Sequence, residues 1–159
     1  MFDSSSSTLA RLFAGYSEDH RNAVNQRIHV IAVPAIAWSV IALLWCLPPL
    51  ITWFQNGIWA ALAMFAAWCY YNRLSRRLGL GMLAAFFVSG CLCRLLEAEI
   101  GLRNLGLLAL GVFVIAWIAQ FVGHRIEGRR PSFLTDLTYL LIGLLWILAK
   151  AYRQMGWRY

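Results

Sequence analysis

The feature that most restricts how this chain can fold is a series of five apolar stretches, each close to the length of a membrane crossing. The first runs from about Ile28 to Leu47 and stops at Pro48-Pro49. The second covers about Leu50 to Tyr71, interrupted by Gln55-Asn56-Gly57. The third spans about Leu78 to Leu96, the fourth Leu105 to Val122 and the fifth Phe133 to Ala151. A helix rising about 1.5 Å per residue crosses about 30 Å of hydrocarbon in roughly 20 residues. Lipid offers no partner for free backbone groups, so spanning segments must be helices or closed barrels. The alternation of a barrel strand is absent here. The expectation is an all-α, polytopic membrane helical bundle of about five transmembrane helices preceded by a short N-terminal helix, one membrane-embedded domain over 1–159.

Charge supports that reading. Only 13% of the residues are charged and 61% are hydrophobic, where a soluble domain carries about a quarter charged residues. The net charge of +7 comes almost wholly from arginine, with Lys150 the single lysine. These arginines sit between apolar spans rather than along one face, which argues against nucleic acid and for loop charge on the inner side of a membrane. Arg11, Arg21 and Arg27 precede the first span, Arg73, Arg76 and Arg77 follow the second, and Arg125, Arg129 and Arg130 follow the fourth. Five crossings put all three groups on one side, the cytoplasmic one, but send Lys150, Arg153 and Arg158 to the other. The last helix lying in the interface, or crossing only halfway, is the alternative. The opening MFDSSSSTLARLF has no basic-then-apolar leader pattern, so insertion is expected to rely on the first span.

The segment before the first span is polar. Ser4 to Ser7 reads as part of a frayed tail over residues 1–15. Ser17 reads as an N-cap with Glu18 and Asp19 in the first turn, opening a helix over 16–29. The four cysteines, Cys46, Cys69, Cys91 and Cys93, lie in apolar segments without metal-finger or redox spacing, so they read as small apolar residues. Arg94, Glu97 and Glu99 read as a structural ion pair at the end of the third span, and the eight tryptophans as interface belt and packing.

The functional signal is the histidines. There are three, His20, His29 and His124, and the five-span topology places all of them at one membrane face. His124 and Glu127, three residues apart, fall about 60° apart around a helix and within about 6 Å, a spacing that lets an imidazole and a carboxylate serve one metal. Asn22, Asn25 and His29 share one helix face. On an ideal helix His20 lies about 180° from His29, so either the helix begins after His20 or a kink turns it. Imidazole plus carboxylate suits non-haem iron(II), and three histidines suit zinc. A two-iron desaturase needs far more histidines than this chain owns. Asn22 and Asn25 are caps, interhelical contacts or catalytic groups. Arg125, Arg129 and Arg130 are headgroup anchors or, as an arginine fork allows, a clamp for a substrate carboxylate.

The run His20-x-Asn22-x-x-Asn25-x-x-x-His29, followed by Pro34, together with Gly123-His124-x-x-Glu127-x-x-x-Pro131, resembles the Mpo1-like family over nearly the whole length. That resemblance implies an Fe(2+)-dependent dioxygenase that shortens 2-hydroxy fatty acids by one carbon, with dioxygen as co-substrate and the lipid bilayer as its setting. It implies that His20, His29 and His124 are iron ligands and that Glu127 is a fourth ligand or orients an imidazole. The 16–29 helix and the 120–131 loop would then form the metal site. The small size implies a bacterial inner membrane, or the endoplasmic reticulum in a eukaryote. Two rival readings use the same residues: a non-enzymatic transporter or assembly subunit with structural histidines, and a zinc-dependent lipid hydrolase.

Overall fold

A computed structural model describes residues 4–51, 53, 55–128 and 138–159. Among them the chain forms six helices and no strand: α1 (Ser4–Glu18), α2 (Ala23–Trp45), α3 (Ile58–Leu74), α4 (Arg76–Ile100), α5 (Leu102–Glu127) and α6 (Thr138–Gln154). Helices α2, α4 and α5 are long and apolar enough to cross a membrane. The expectation of about five such helices is corrected to three among the described residues. The second apolar stretch does not begin its helix at Leu50, because Pro48-Pro49 and Gln55-Asn56-Gly57 hold that end open. What remains is a 17-residue α3, about 25 Å long. Helix α6 is also 17 residues within the described part; residues 133–137 of the expected fifth span lie outside it.

Helices α2 to α5 run antiparallel, each joined to the next at one end of the bundle. Ser75 ends α3 and caps α4, its Oγ accepting from the Leu78 amide. Gly101 alone joins α4 to α5, at φ +80, a conformation an L side chain adopts only with strain. The most extensive pairing is α2 with α5. Small Ala32 and Ala116 are buried there beside Ile36, and small residues let helices approach closely in lipid. Large apolar side chains such as Ile31, Phe87 and Ile115 point outward and are exposed, the arrangement expected when hydrocarbon is the solvent. At the end away from the histidines, Glu97 ties the bundle by accepting from Trp45 Nε1, Asn56 Nδ2 and Arg94 Nη1. The Arg94–Glu97 pair is therefore structural.

The other end is closed by α1 and α6. The expected tail over 1–15 is helical from Ser4, and Leu9, Phe13 and Tyr16 recur at helical spacing and are buried. Ser17 does not open a helix. It lies in the last turn of α1, where its Oγ accepts from Trp146 Nε1 of α6. The expected continuous helix over 16–29 is broken at residues 19–22, and the cap of the next helix is Asn22, which accepts from the Val24 and Asn25 amides. Helix α6 does not deliver the C-terminus to the far side. Lys150 Nζ donates to Gln26 Oε1 in the first turn of α2, and Arg77 at the start of α4 donates to the Arg158 carbonyl. Lys150, Arg153 and Arg158 thus sit at the same end as Arg21, Arg27, Arg76 and Arg77, and the conflict in the charge distribution disappears.

Candidate metal centre

His20 lies in the link between α1 and α2, His29 two turns into α2, and His124 in the last turn of α5. All three are buried, and one ligating nitrogen from each lies within 4.8 Å of the others. The break at 19–22 resolves the angular problem, because His20 is off the α2 helix and free of its periodicity. Its ring stacks on Tyr16 at 4.1 Å between centroids and meets His29 edge-on at 4.4 Å.

Backbone carbonyls fix how the rings present themselves. His20 Nδ1 lies 2.7 Å from the Tyr16 carbonyl and His29 Nδ1 lies 2.9 Å from the Asn25 carbonyl, each four residues back. A carbonyl only accepts, so both Nδ1 atoms carry the proton and both Nε2 atoms keep a lone pair. Metal-bound histidines are held by this same device. The Nε2 atoms of His29 and His124 are 3.2 Å apart. Two nitrogens about 2.1 Å from one ion, at octahedral to tetrahedral angles, lie about 3.0–3.4 Å apart. His20 Nε2 is buried with no hydrogen-bond partner among the described residues, a state that an ion relieves. Burial lowers the His20 pKa below its ordinary value, with the Tyr16 carbonyl only partly offsetting it, so the ring is neutral and competent as a ligand. The cluster can hold a metal ion, and its three nitrogens suit iron(II) and zinc alike.

Glu127 has a different place. The expected loop over 120–131 is helical as far as Glu127, with Gly128 as its cap; residues 129–131 lie outside the described part. One Glu127 oxygen accepts from the Arg21 and Asn22 amides at 2.9 and 3.1 Å, the other from the Asn22 amide at 2.9 Å and Asn25 Nδ2 at 3.0 Å. This carboxylate clamps the end of α5 onto the start of α2 and is not one of the clustered ligands. Asn25, fully buried, passes the clamp inward: its amide holds Glu127 and its carbonyl holds His29. Gly123 permits that approach, since a Cβ there would overlap Asn25 Oδ1. Asn22 is a cap. Arg125 is exposed and does not line the histidine pocket, while Arg129 and Arg130 lie outside the described residues.

Three polar side chains that line the pocket besides the histidines carry no role in the sequence: Tyr16, Gln120 and Tyr139. Two had a signal. Tyr16 precedes His20 by four residues, and Gln120 precedes His124 by four as the only polar side chain in the apolar run before Gly123. Tyr139 had none, because α6 reaches the pocket only through the tertiary fold.

Comparison with curated proteins and with solved structures finds no match. The family model described as 2-hydroxy-palmitic acid dioxygenase Mpo1-like matches residues 6–155, a stretch that takes in all three histidines and every helix that carries them. The chain belongs to the Mpo1-like family.

Proposed function

We propose that this chain is an iron(II)-dependent dioxygenase that removes one carbon from 2-hydroxy fatty acids drawn from a bilayer. The observation that carries the reading is the meeting of three buried imidazoles from both ends of the chain, their ligating nitrogens within 4.8 Å of one another, in a cluster that can hold one ion. The family description supplies the reaction class. The overall reaction closes without an added reductant: R–CH(OH)–COOH and O2 give R–COOH, CO2 and H2O, the four electrons lost by the acid being those one dioxygen accepts. Iron(II) bound there supplies the redox centre through which ground-state dioxygen reacts with a closed-shell acid.

The chain's own residues prepare the site. The Tyr16 and Asn25 carbonyls hold two imidazoles in the ligating tautomer. Glu127 and Asn25 set the spacing of α2 against α5. Val33, Leu140 and the Tyr16 ring wall the pocket against water. Burial raises the Tyr16 hydroxyl well above its ordinary pKa, so it stays protonated beside the substrate. Arg125, Arg129 and Arg130 are assigned to the substrate carboxylate, and the arginine bias assigns this end to the cytoplasm.

The test is anaerobic reconstitution with iron(II), addition of 2-hydroxypalmitate and oxygen, and mass spectrometry of the products. Pentadecanoate and CO2 are expected, one of each per O2 consumed. Iron-loaded protein that yields no odd-chain acid refutes the proposal. Stoichiometric zinc with no oxygen uptake would instead favour a hydrolase, and purified protein that retains no metal would favour structural histidines.

A further inference from the structure

We infer that the apolar cavity beside the histidine pocket is the channel for the substrate's hydrocarbon tail, and that Gln120, at the junction of the two, recognises the 2-hydroxyl. The inference rests on the proposed function for the identity of the polar head. The histidine pocket itself is small, about 20 Å³, and holds no more than the reacting end of a molecule. Against it lies a second cavity of about 170 Å³, and the two share Val33, Gln120 and Leu140 as common walls. Apart from Gln120, the larger cavity is lined by aliphatic and aromatic side chains, and its one hydroxyl, that of Tyr71, already donates to the Leu141 carbonyl.

Gln120 is the exception at the place where a head group meets a tail. It is 4% exposed, and its Oε1 is buried without a hydrogen-bond partner among the described residues. A buried acceptor left unpaired is unfavourable, and a ligand hydroxyl that reaches the junction pairs it. An acid without the 2-hydroxyl leaves it unpaired, so the residue discriminates between the two. The cavity is comparable to the roughly 150 Å³ hole that accepts a benzene molecule, enough for about six carbons. A longer chain must leave through the side, and the lining residues Val40, Ala63 and Leu141 are exposed, which puts the opening between α2, α3 and α6 on the lipid-facing surface.

Photolabelling tests this without requiring turnover. Iron-loaded full-length protein in nanodiscs is illuminated without oxygen in the presence of 2-hydroxypalmitate bearing a diazirine at about its fifth carbon, within the length that the cavity holds. Label is expected on the cavity wall, at Ala37, Met64 or Leu144, competed by 2-hydroxypalmitate better than by palmitate. Gln120→Leu is expected to shrink that preference roughly two- to twelvefold, the range of one neutral hydrogen bond, with iron content unchanged. A purely structural role would not move the ratio. Ala63→Trp, at the exposed mouth, is expected to abolish label inside the cavity while the fold and iron content persist. Label confined to the outer groove between α3 and α4, at Phe65, Leu83 or Phe87, overturns the proposal, as does a preference unaffected by Gln120→Leu. Cavity labelling without any turnover leaves this inference standing and removes the dioxygenase reading. Turnover with label elsewhere does the reverse.

Discussion

Replacing Glu127 separates a clamp from a ligand. Its carboxylate meets two backbone amides and the Asn25 side-chain amide across the α2–α5 contact. In Glu127→Ala the Arg21 and Asn22 amides, at the open end of α2, rehydrate at small cost. Asn25 cannot, because it is fully buried. Its stranded N–H costs about 1–3 kcal/mol, and loss of a negative charge at the start of α2 adds about 0.3–1 kcal/mol, so the variant is destabilised by about 1–4 kcal/mol. Glu127→Gln is milder. The amide keeps one acceptor for the backbone, and a flip of Asn25 turns its unpaired Oδ1 toward the new N–H. Residues that orient a metal's ligands from behind are worth about 10–100-fold in affinity. Glu127→Gln is therefore expected to bind one iron per chain, with the dissociation constant raised by roughly that range. Chelator competition gives the affinity, metal analysis the stoichiometry, and unfolding in detergent followed by tryptophan fluorescence the stability. If Glu127→Gln keeps wild-type stability yet binds no iron, the clamp account is wrong and the carboxylate is a ligand.

Gly123→Ala drives a Cβ into Asn25 Oδ1 and should cost about 1–3 kcal/mol while weakening iron binding. Gly111→Ala, on the same helix with nothing near the new Cβ, should instead stabilise by about 0.5–1 kcal/mol, as comparative unfolding will show. Burial holds the His20 pKa below its ordinary value of 6.5, so the unfolded chain takes up the proton first as pH falls. Stability of the metal-free protein should be constant above about pH 6.5 and decline below it, and iron affinity should fall in the same window; unfolding midpoints and chelator titrations between pH 8 and 5 check both. His20→Ala, His29→Ala and His124→Ala should each abolish stoichiometric iron and oxygen consumption with helical circular dichroism retained. Exhaustive dipyridyl treatment of the wild-type protein should do the same, and iron(II) should restore only the wild type.

The meeting of the histidines was legible because consecutive helices impose order: His29 lies near the start of α2, His124 near the end of α5, and the four helices α2 to α5 bring the chain back to the end of the bundle where it began. The supporting contacts were not. Glu127 at helical spacing from His124 reads as a ligand until the Arg21 and Asn22 amides, more than a hundred positions away, are seen to face it. Ser17 has the local features of a helix start, yet Trp146 from the far end of the chain occupies its hydroxyl. Apolar runs counted by length overestimated the spans, since the count does not register that Pro48-Pro49 and Gly57 open a turn or that α6 doubles back to Gln26 and Arg77. Leu9, Phe13 and Tyr16 did carry a helical period, hidden behind the serines that precede them.

The separation of 95 positions from His29 to His124 has a bearing on biogenesis. Any nascent polypeptide still short of α5 owns two of the imidazoles but no cage, and the third arrives only after the intervening hairpins have entered the bilayer. An ion captured at that moment favours the completed topology over every partly inserted one, by an amount that grows with the logarithm of free metal over its dissociation constant. The supply of that metal would then govern how much of the completed fold accumulates.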